Sequence, residues 1–378
     1  MFKRGIKLFL ILVIITLFYT GYSILNLGND RATVYEFTES KEPEEAYEEP
    51  RKEEKVYDEA KDYEKTYDKV ENGLIEGKKI ISLVGLRSSE SNDVIFEILE
   101  GVAKDNPEIM YYAGARYGNG ILMPRYEKEV KEIKLHQKMI GEKREEILLE
   151  IITPNMTDYE KVKAVHDYII NNTKYDRNYL EDKEISPESH TVYGTLIEGV
   201  AVCDGYAKSM KYLLEPLEIE AIIVSGKSRD MNHAWNIVKI EDNYYHVDTT
   251  WDDPVTESGQ DIIAYDYFSL NDEDISRTHR WDKEKYPSCV ATKYNYYYYN
   301  NLLINNYDEF YSLLKESILS EKDNISFRIL NYDKEVYNVS NAMNQIAANI
   351  TLGYKGIGFN YSINEELGII NIKFQYEK

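Results

Sequence analysis

The first long hydrophobic pattern in the chain is a continuous apolar run near its beginning. Three basic residues occupy the first seven positions, and residues 8–29 then carry no charged side chain before Asp30. About 20 predominantly apolar residues in a helix can cross the ~30 Å hydrocarbon layer of a membrane. Because a basic flank stays in the cytoplasm, the pattern predicts a transmembrane anchor over residues 1–29, with the rest of the chain outside.

The alternative to an anchor is a cleaved secretory signal. A cleavage site needs small residues, whereas bulky tyrosines occupy the stretch around Thr20 to Ser23. We therefore favour an uncleaved signal anchor.

The next stretch, residues 30–71, is highly charged, with 8 basic and 16 acidic side chains. Few aliphatic residues and many like charges leave little apolar surface to bury against the entropy of ordering. The pattern predicts a disordered or partly helical acidic tether that holds the folded part away from the membrane.

Helical and extended patterns alternate over residues 72–153. Apolar residues at helical spacing predict a helix over Ser91 to Val102, and two extended runs around Gly118 to Gly120 predict a hairpin. A second helix is expected over Glu127 to Ile152. We interpret this region as an accessory module.

A helix with a capping box is expected to begin at Thr157, because Glu160 follows it three residues later. Its apolar face includes Val162, Val165 and Ile169. His166 lies beside that face and is interpreted as a structural histidine bonded to a backbone group, since the sequence shows no charged or nucleophilic partner nearby.

Residues 307–378 follow a separate rhythm, helix, strand, helix and two strands, which predicts a small α+β module without a nucleophile. A connector over 276–306 joins it to the central region.

The strongest chemical signal is a cysteine at the expected start of a helix. Small and apolar residues lead into Cys203, and helical spacing then runs through Tyr206, Met210 and Leu213. Unpaired amides at a helix start favour an anion, so a thiol placed there becomes a better nucleophile. The alternative is that Cys203 is a small buried apolar residue.

Two predicted strands downstream supply the partners of this thiol. In MNHAWNIVKI, His233 and Trp235 share one face, and in YYHVDTTWDDP the same holds for His246 and Asp248. Antiparallel pairing brings His233 within reach of Asp248. A cysteine, a histidine and a carboxylate that orients the imidazole are the parts of a nucleophilic triad.

These three motifs, GVAVCDGYA, NHAWNIV and YYHVDTTWDDP, resemble the transglutaminase-like superfamily, whose papain-like fold carries Cys, His and Asp in this order. The resemblance covers about Thr157 to Asp253, and the flanks are loosely similar to membrane-anchored bacterial members. It implies an α+β fold with a helix-borne cysteine packed on an antiparallel sheet, over a catalytic domain of residues 154–275. It also implies that Cys203 is the nucleophile, His233 the base and then acid, and Asp248 the residue that orients His233.

The resemblance implies acyl transfer through a thioester. The Cys203 amide and the Tyr193 hydroxyl are candidate donors to the developing oxyanion, and Trp235 and Trp251 are candidate walls of the substrate site. His246 is a minor candidate for catalysis. Asp252 and Asp253 are interpreted as turn caps, Cys289 as inert, and the sequence shows neither zinc-ligand spacing nor a cofactor motif.

Charge and composition limit the classes of partner that the protein is expected to bind. The 378 residues carry 45 basic and 67 acidic side chains, a net charge of −22, which argues against nucleic acid. We expect a membrane-bound, extracytoplasmic cysteine peptidase or amidase acting on peptides or proteins, with cell-wall and surface-protein contacts open. A cross-linking transglutaminase and a non-catalytic envelope scaffold are the alternatives.

Overall fold

The computed structural model describes residues 59–181, 183–253, 263–349 and 356–377. The predicted anchor, residues 1–29, and most of the predicted tether lie outside these ranges. Within them, no helix combines the length and the apolar character that a membrane span requires.

The first element is a helix where the charged tether was expected to continue. Helix α1 (Glu59–Ile75) begins twelve residues before the predicted boundary at Glu71. Tyr67, Val70 and Leu74 form a stripe at helical spacing and are buried against the following helix. The partly helical alternative thus fits residues 59–71, because these residues carry enough apolar surface to pack.

The accessory region confirms the predicted helices and hairpin. Asn119 and Gly120 have positive φ and form the hairpin turn. A short strand that the sequence did not predict pairs with the second hairpin strand and makes a three-stranded sheet. The elements are β1 (Ile81–Ser82), α2 (Asn92–Asp105), β2 (Tyr112–Gly118), β3 (Ile121–Tyr126) and α3 (Val130–Ile151).

Helices of the central region lead to the cysteine. The capping box of Thr157 and Glu160 is present, as predicted. The elements are α4 (Asp158–Asn172), β4 (Lys174–Tyr175), α5 (Arg177–Leu180), a 3₁₀ turn (Pro187–His190), a π-helical turn (Gly194–Glu198), β5 (Val200–Ala201) and α6 (Cys203–Leu214). Helix α6 starts at Cys203, as the apolar spacing predicts, and packs against α4.

A five-stranded antiparallel sheet lies against α6 in the order β10-β6-β7-β8-β9. Strand β10 lies beyond residue 275, in the segment that the sequence indicated as a connector. The elements are β6 (Ala221–Ser228), β7 (Met231–Ile240), β8 (Asn243–Val247), β9 (Phe268–Leu270), α7 (Asp272–Ile275) and β10 (His279–Arg280), followed by a 3₁₀ turn (Lys283–Lys285) and α8 (Tyr296–Tyr299).

The C-terminal module has the predicted order of helices and strands, with one short strand added. Its four-stranded sheet runs β11-β12-β14-β13. The elements are β11 (Leu303–Ile304), α9 (Tyr307–Leu319), β12 (Asn324–Ile329), α10 (Val339–Asn349), β13 (Gly356–Asn364) and β14 (Ile369–Glu377). A buried bidentate pair between Arg328 and Asp274, at 2.6 and 2.8 Å, fastens this module to the central region.

Gly205 permits close packing of α6. A Cβ atom at this position would lie 2.8 Å from the Ser189 carbonyl oxygen, from Thr195 Oγ1 and from Ala201 Cβ. We predict that Gly205→Ala lowers the free energy of unfolding by about 1–3 kcal/mol, because overpacking outweighs the gain in helix propensity. Urea unfolding of the purified protein measures this.

The matched control is Gly141, which lies inside α3 with open space around its missing Cβ. Gly141→Ala is expected to raise the free energy of unfolding by up to about 1 kcal/mol. Equal effects at the two glycines would contradict the close packing of α6.

Candidate active site

Cys203, His233 and Asp248 meet where the start of α6 faces the sheet. The Cys203 side chain is partly buried and packs on Ala207, Ile223 and Ala234. His233 lies on β7, opposite Gly226 of β6, and Asp248 directly follows β8. The pairing of β7 with β8 thus brings the histidine and the carboxylate together, as the sequence predicted.

Asp248 is bonded to His233 by a short hydrogen bond. His233 Nε2 and Asp248 Oδ2 are 2.6 Å apart, and the two side chains are 8% and 0% exposed. Burial alone would lower the pKa of His233, but the charge and hydrogen bond of Asp248 and a hydrogen bond with Cys203 raise it to about 10. The imidazole is therefore held as imidazolium at neutral pH, between the carboxylate and the thiol.

The aspartate is stabilised as an anion. Burial would raise the pKa of Asp248, but the charges and hydrogen bonds of His233 and His279 hold it well below its usual range. Backbone amides of Thr250 and Trp251 donate to its other oxygen, at 3.1 and 3.2 Å. An ionised carboxylate with these donors orients the imidazole and compensates its positive charge.

The ion pair also links stability to pH. Because the pKa of His233 is raised from an ordinary 6.5 to about 10, its stabilisation is fully present below pH 6.5 and is lost as pH rises through 10.

Comparison with known proteins shows what the central region is similar to. Residues 145–249, which contain all three side chains, match the family model described as the transglutaminase-like superfamily. The central region is transglutaminase-like. The kyphoscoliosis peptidases of Mus musculus and Homo sapiens are each 25% identical to this chain over 118 and 119 residues.

These alignments cover only part of each protein. They take in 28% of this chain and 18% of the length of each kyphoscoliosis peptidase. A solved structure described as a TGase matches with a TM-score of 0.29 and 15% identity, over 39% of this chain and 46% of that chain.

Tyr193 directly precedes the π-helical turn of residues 194–198. Its ring stacks on His136 of α3, with centroids 3.7 Å apart and planes 4° apart. The expected role of Tyr193 as an oxyanion donor stays a prediction.

Tyr175 is a second tyrosine that lies near the start of α6 in the fold. It ends β4, which pairs with β5 immediately before α6. Burial and then the charges of Cys203, Tyr179 and Asp248 raise the pKa of Tyr175 well above its usual range. The phenol is therefore protonated at neutral pH. The short β4–β5 pairing has no clear signal in the sequence.

The two tryptophans that are candidate walls of the substrate site lie beside His233. The Trp235 ring is stacked with the imidazole, with centroids 5.9 Å apart, and Trp251 meets it edge-on at 6.5 Å. Trp235 is fully buried, so it supports the imidazole from behind. Trp251 is partly buried, and the Arg229 guanidinium lies 4.5 Å from the centre of its ring.

His246 belongs to the layer behind Trp235. Its Nδ1 accepts a hydrogen bond from the Trp235 indole at 2.9 Å, and its Nε2 lies 2.8 Å from Asp272. These two hydrogen bonds place His246 in a buried network with Trp235 and Asp272.

His166 has charged partners, contrary to the expectation of a backbone bond. It is fully buried between Asp167 and Asp252, each 3.1 Å away. Asp252 also accepts the Tyr267 amide, and Asp253 accepts the Tyr206 hydroxyl at 2.5 Å. Asp252 and Asp253 are therefore tertiary anchors and not simple turn caps. The sequence did not indicate these pairs because 86 residues separate His166 from Asp252.

Two groups of side chains have the composition of metal ligands within the described residues. His246, Asp272 and Cys289 bring their ligand atoms within 4.8 Å of one another, as do His233, Asp248 and His279. In the first group the Trp235 N–H occupies the lone pair of Nδ1, so Nε2 of His246 carries the proton and donates to Asp272. The second group is joined at hydrogen-bond distances. Both groups act as hydrogen-bond networks.

Cys289 is completely buried, and its thiol is far less acidic than usual. Burial and then the charge of Asp272 raise the pKa of this thiol. The reactive form of a cysteine is the thiolate, so this environment agrees with the expectation that Cys289 is inert.

Proposed function

We propose that this protein is a cysteine peptidase or amidase that cleaves peptide or protein amides through a thioester on Cys203. The observation that carries the proposal is the short hydrogen bond from His233 to a buried, ionised Asp248 beside the thiol. The transglutaminase-like family match and the word peptidase in the names of the two relatives support it.

The first half of the reaction forms the thioester. The Cys203 sulfur attacks the carbonyl carbon of the amide as a thiolate, with the His233 imidazolium beside it, and the carbonyl oxygen becomes an oxyanion. When the C–N bond breaks, the His233 imidazolium gives its proton to the leaving amine. Asp248 holds the ring orientation during this transfer.

The second half releases the acyl group. A water molecule gives a proton to the now neutral His233 and attacks the thioester carbon. The C–S bond breaks, and the cysteine returns as thiolate beside the imidazolium. An amine in place of water would give a new amide, which is the cross-linking reaction.

Cys203→Ala tests the nucleophile, and Cys289→Ala is its control. Native protein should release fragments from a broad peptide panel, and Cys203→Ala should reduce that rate by roughly three orders of magnitude or more. Cys289→Ala should leave the rate near native if the variant folds. Fragment release is followed by mass spectrometry.

Incorporation of a fluorescent primary amine, measured in parallel, separates the two acyl acceptors. Amine incorporation faster than hydrolysis would make the protein a cross-linker. Absence of both native-specific signals would favour the scaffold alternative and overturn the proposal.

We propose further that Tyr175 and the Cys203 amide donate to the oxyanion. Tyr175→Phe removes one donor and should lower kcat about a hundredfold with little change in KM. Tyr193→Phe removes the hydroxyl of the ring that stacks on His136 and should leave kcat within about threefold of native. Steady-state kinetics measures both variants, and a larger loss of kcat in Tyr193→Phe than in Tyr175→Phe would favour Tyr193 as the donor.

The cellular location of the protein is proposed from the sequence. The apolar stretch over residues 8–29 would anchor the protein, with its folded part outside the cytoplasm. In cells that produce the full chain, it should sediment with membranes and be degraded by protease added outside intact cells. Recovery in the soluble fraction, or protection of the folded part, would contradict this location.

A further inference from the structure

His279 is a second histidine on the triad aspartate. It lies on β10, is fully buried, and places Nε2 3.0 Å from Oδ2 of Asp248. This is the same oxygen that His233 contacts at 2.6 Å. Because an ionised carboxylate only accepts hydrogen bonds, Nε2 of His279 carries the proton and donates it.

The four contacts of Asp248 use both of its oxygens fully. Oδ1 accepts the amides of Thr250 and Trp251, and Oδ2 accepts the two imidazoles. Two lone pairs on each oxygen make this a complete set. His279 therefore supplies one of the four hydrogen bonds that stabilise the buried negative charge.

The ring of His279 is enclosed by aromatic side chains. Trp235, Trp251 and Tyr267 surround its ring, with centroid distances of 4.9, 6.0 and 5.6 Å. The Thr278 hydroxyl lies 2.8 Å from Nδ1 and fixes the ring from the other side. A side chain that cannot reach Oδ2 would leave this oxygen with His233 as its single donor among the described residues.

The fold holds β10 close to the catalytic strands. His279 pairs with Ser228 of β6, and a Cβ atom on Gly226 would lie 2.3 Å from the Arg280 carbonyl oxygen. Gly226 is also opposite His233 across the β6–β7 ladder. The glycine thus allows β10 to approach the sheet at the level of the triad.

We propose that His279 is a positioning residue of the triad, which shares Oδ2 of Asp248 and so limits the pull of this carboxylate on the His233 proton. A carboxylate oxygen that accepts hydrogen bonds from two N–H groups interacts less strongly with each of them. His233 must give its proton to the leaving amine, and an imidazolium held too firmly is a poor acid. The inference rests on the proposed function only in taking Cys203, His233 and Asp248 as the working set.

Other titratable groups also face His233 and Asp248, and the His279 variants do not alter these groups. They are Cys203 of α6, Tyr175 of β4, and His246 with Asp272 behind Trp235. A shift caused by a change at His279 alone is therefore assigned to the shared oxygen.

The test compares His279→Gln with His279→Asn and His279→Leu. The Gln amide nitrogen reaches the position of Nε2, whereas the Asn amide stops near Nδ1 and Leu has no donor. The chain has six histidines, so protein labelled with ¹⁵N in histidine allows His233 to be titrated by NMR. His279→Asn and His279→Leu should raise the pKa of His233 by at least about half a unit. Gln should keep it within about 0.2 of native.

His166→Asn is the control, because it breaks a buried His–Asp pair of the same turn at Asp252 and leaves the hydrogen bonds of the Asp248 carboxylate in place. It should leave the His233 titration unchanged. An unchanged or lowered pKa in His279→Asn, or an equal shift in His166→Asn, would overturn the role of His279. If the leucine variant does not fold, the Gln and Asn pair decides.

This experiment is independent of the enzyme's substrate. The rate of Cys203 alkylation by iodoacetamide across the same pH range should show its alkaline inflection at the higher pH found for His233. If no peptide is hydrolysed but these shifts occur, the proposed function fails and the role of His279 stands. If peptides are hydrolysed but the pKa of His233 does not shift, the proposed function stands and the positioning role of His279 fails.

Discussion

The site depends on one acidic turn, residues 248–253, whose three carboxylates bind four different helices and strands. Asp248 holds His233 of β7 and His279 of β10, Asp252 holds His166 of α4, and Asp253 accepts the Tyr206 hydroxyl of α6. Asp248 and Asp252 are completely buried. A buried carboxylate is tolerated only when partners compensate it, so loss of any one partner leaves an expensive charge. The turn therefore fixes the sheet, the nucleophile helix and the neighbouring helix at the same point.

Much of the fold could be predicted from local patterns. The capping box at Thr157, the Asn119–Gly120 turn and the alternation in the C-terminal strands act within a few residues, and the structure has these features. The start of α6 at Cys203 and the meeting of His233 with Asp248 also follow from spacing, because a short hairpin sets the register between two adjacent strands. The sequence allowed a partly helical segment at α1, but the packing of Tyr67, Val70 and Leu74 was not predicted, because charged residues dominate the composition around them.

The parts that sequence reasoning missed depend on contacts between distant segments. His279 lies 31 residues after Asp248 and reaches it only because β10 pairs with β6. Tyr175 is paired with Ala201, two residues before Cys203, through a two-residue parallel pairing, and the ring of Tyr193 stacks on His136. A single sequence carries no record of sheet order, so such partners become visible only in the folded protein.

The most direct measurement of the central claim is the titration of His233 in native protein and in Asp248→Asn, by NMR of histidine-labelled samples. The account predicts a native pKa of about 10. In Asp248→Asn the pKa should fall to or below the ordinary 6.5, because burial then acts without the opposing charge. A native His233 that titrates near 6.5, or one that Asp248→Asn does not change, would contradict the claim that the acidic turn sets the protonation of the site.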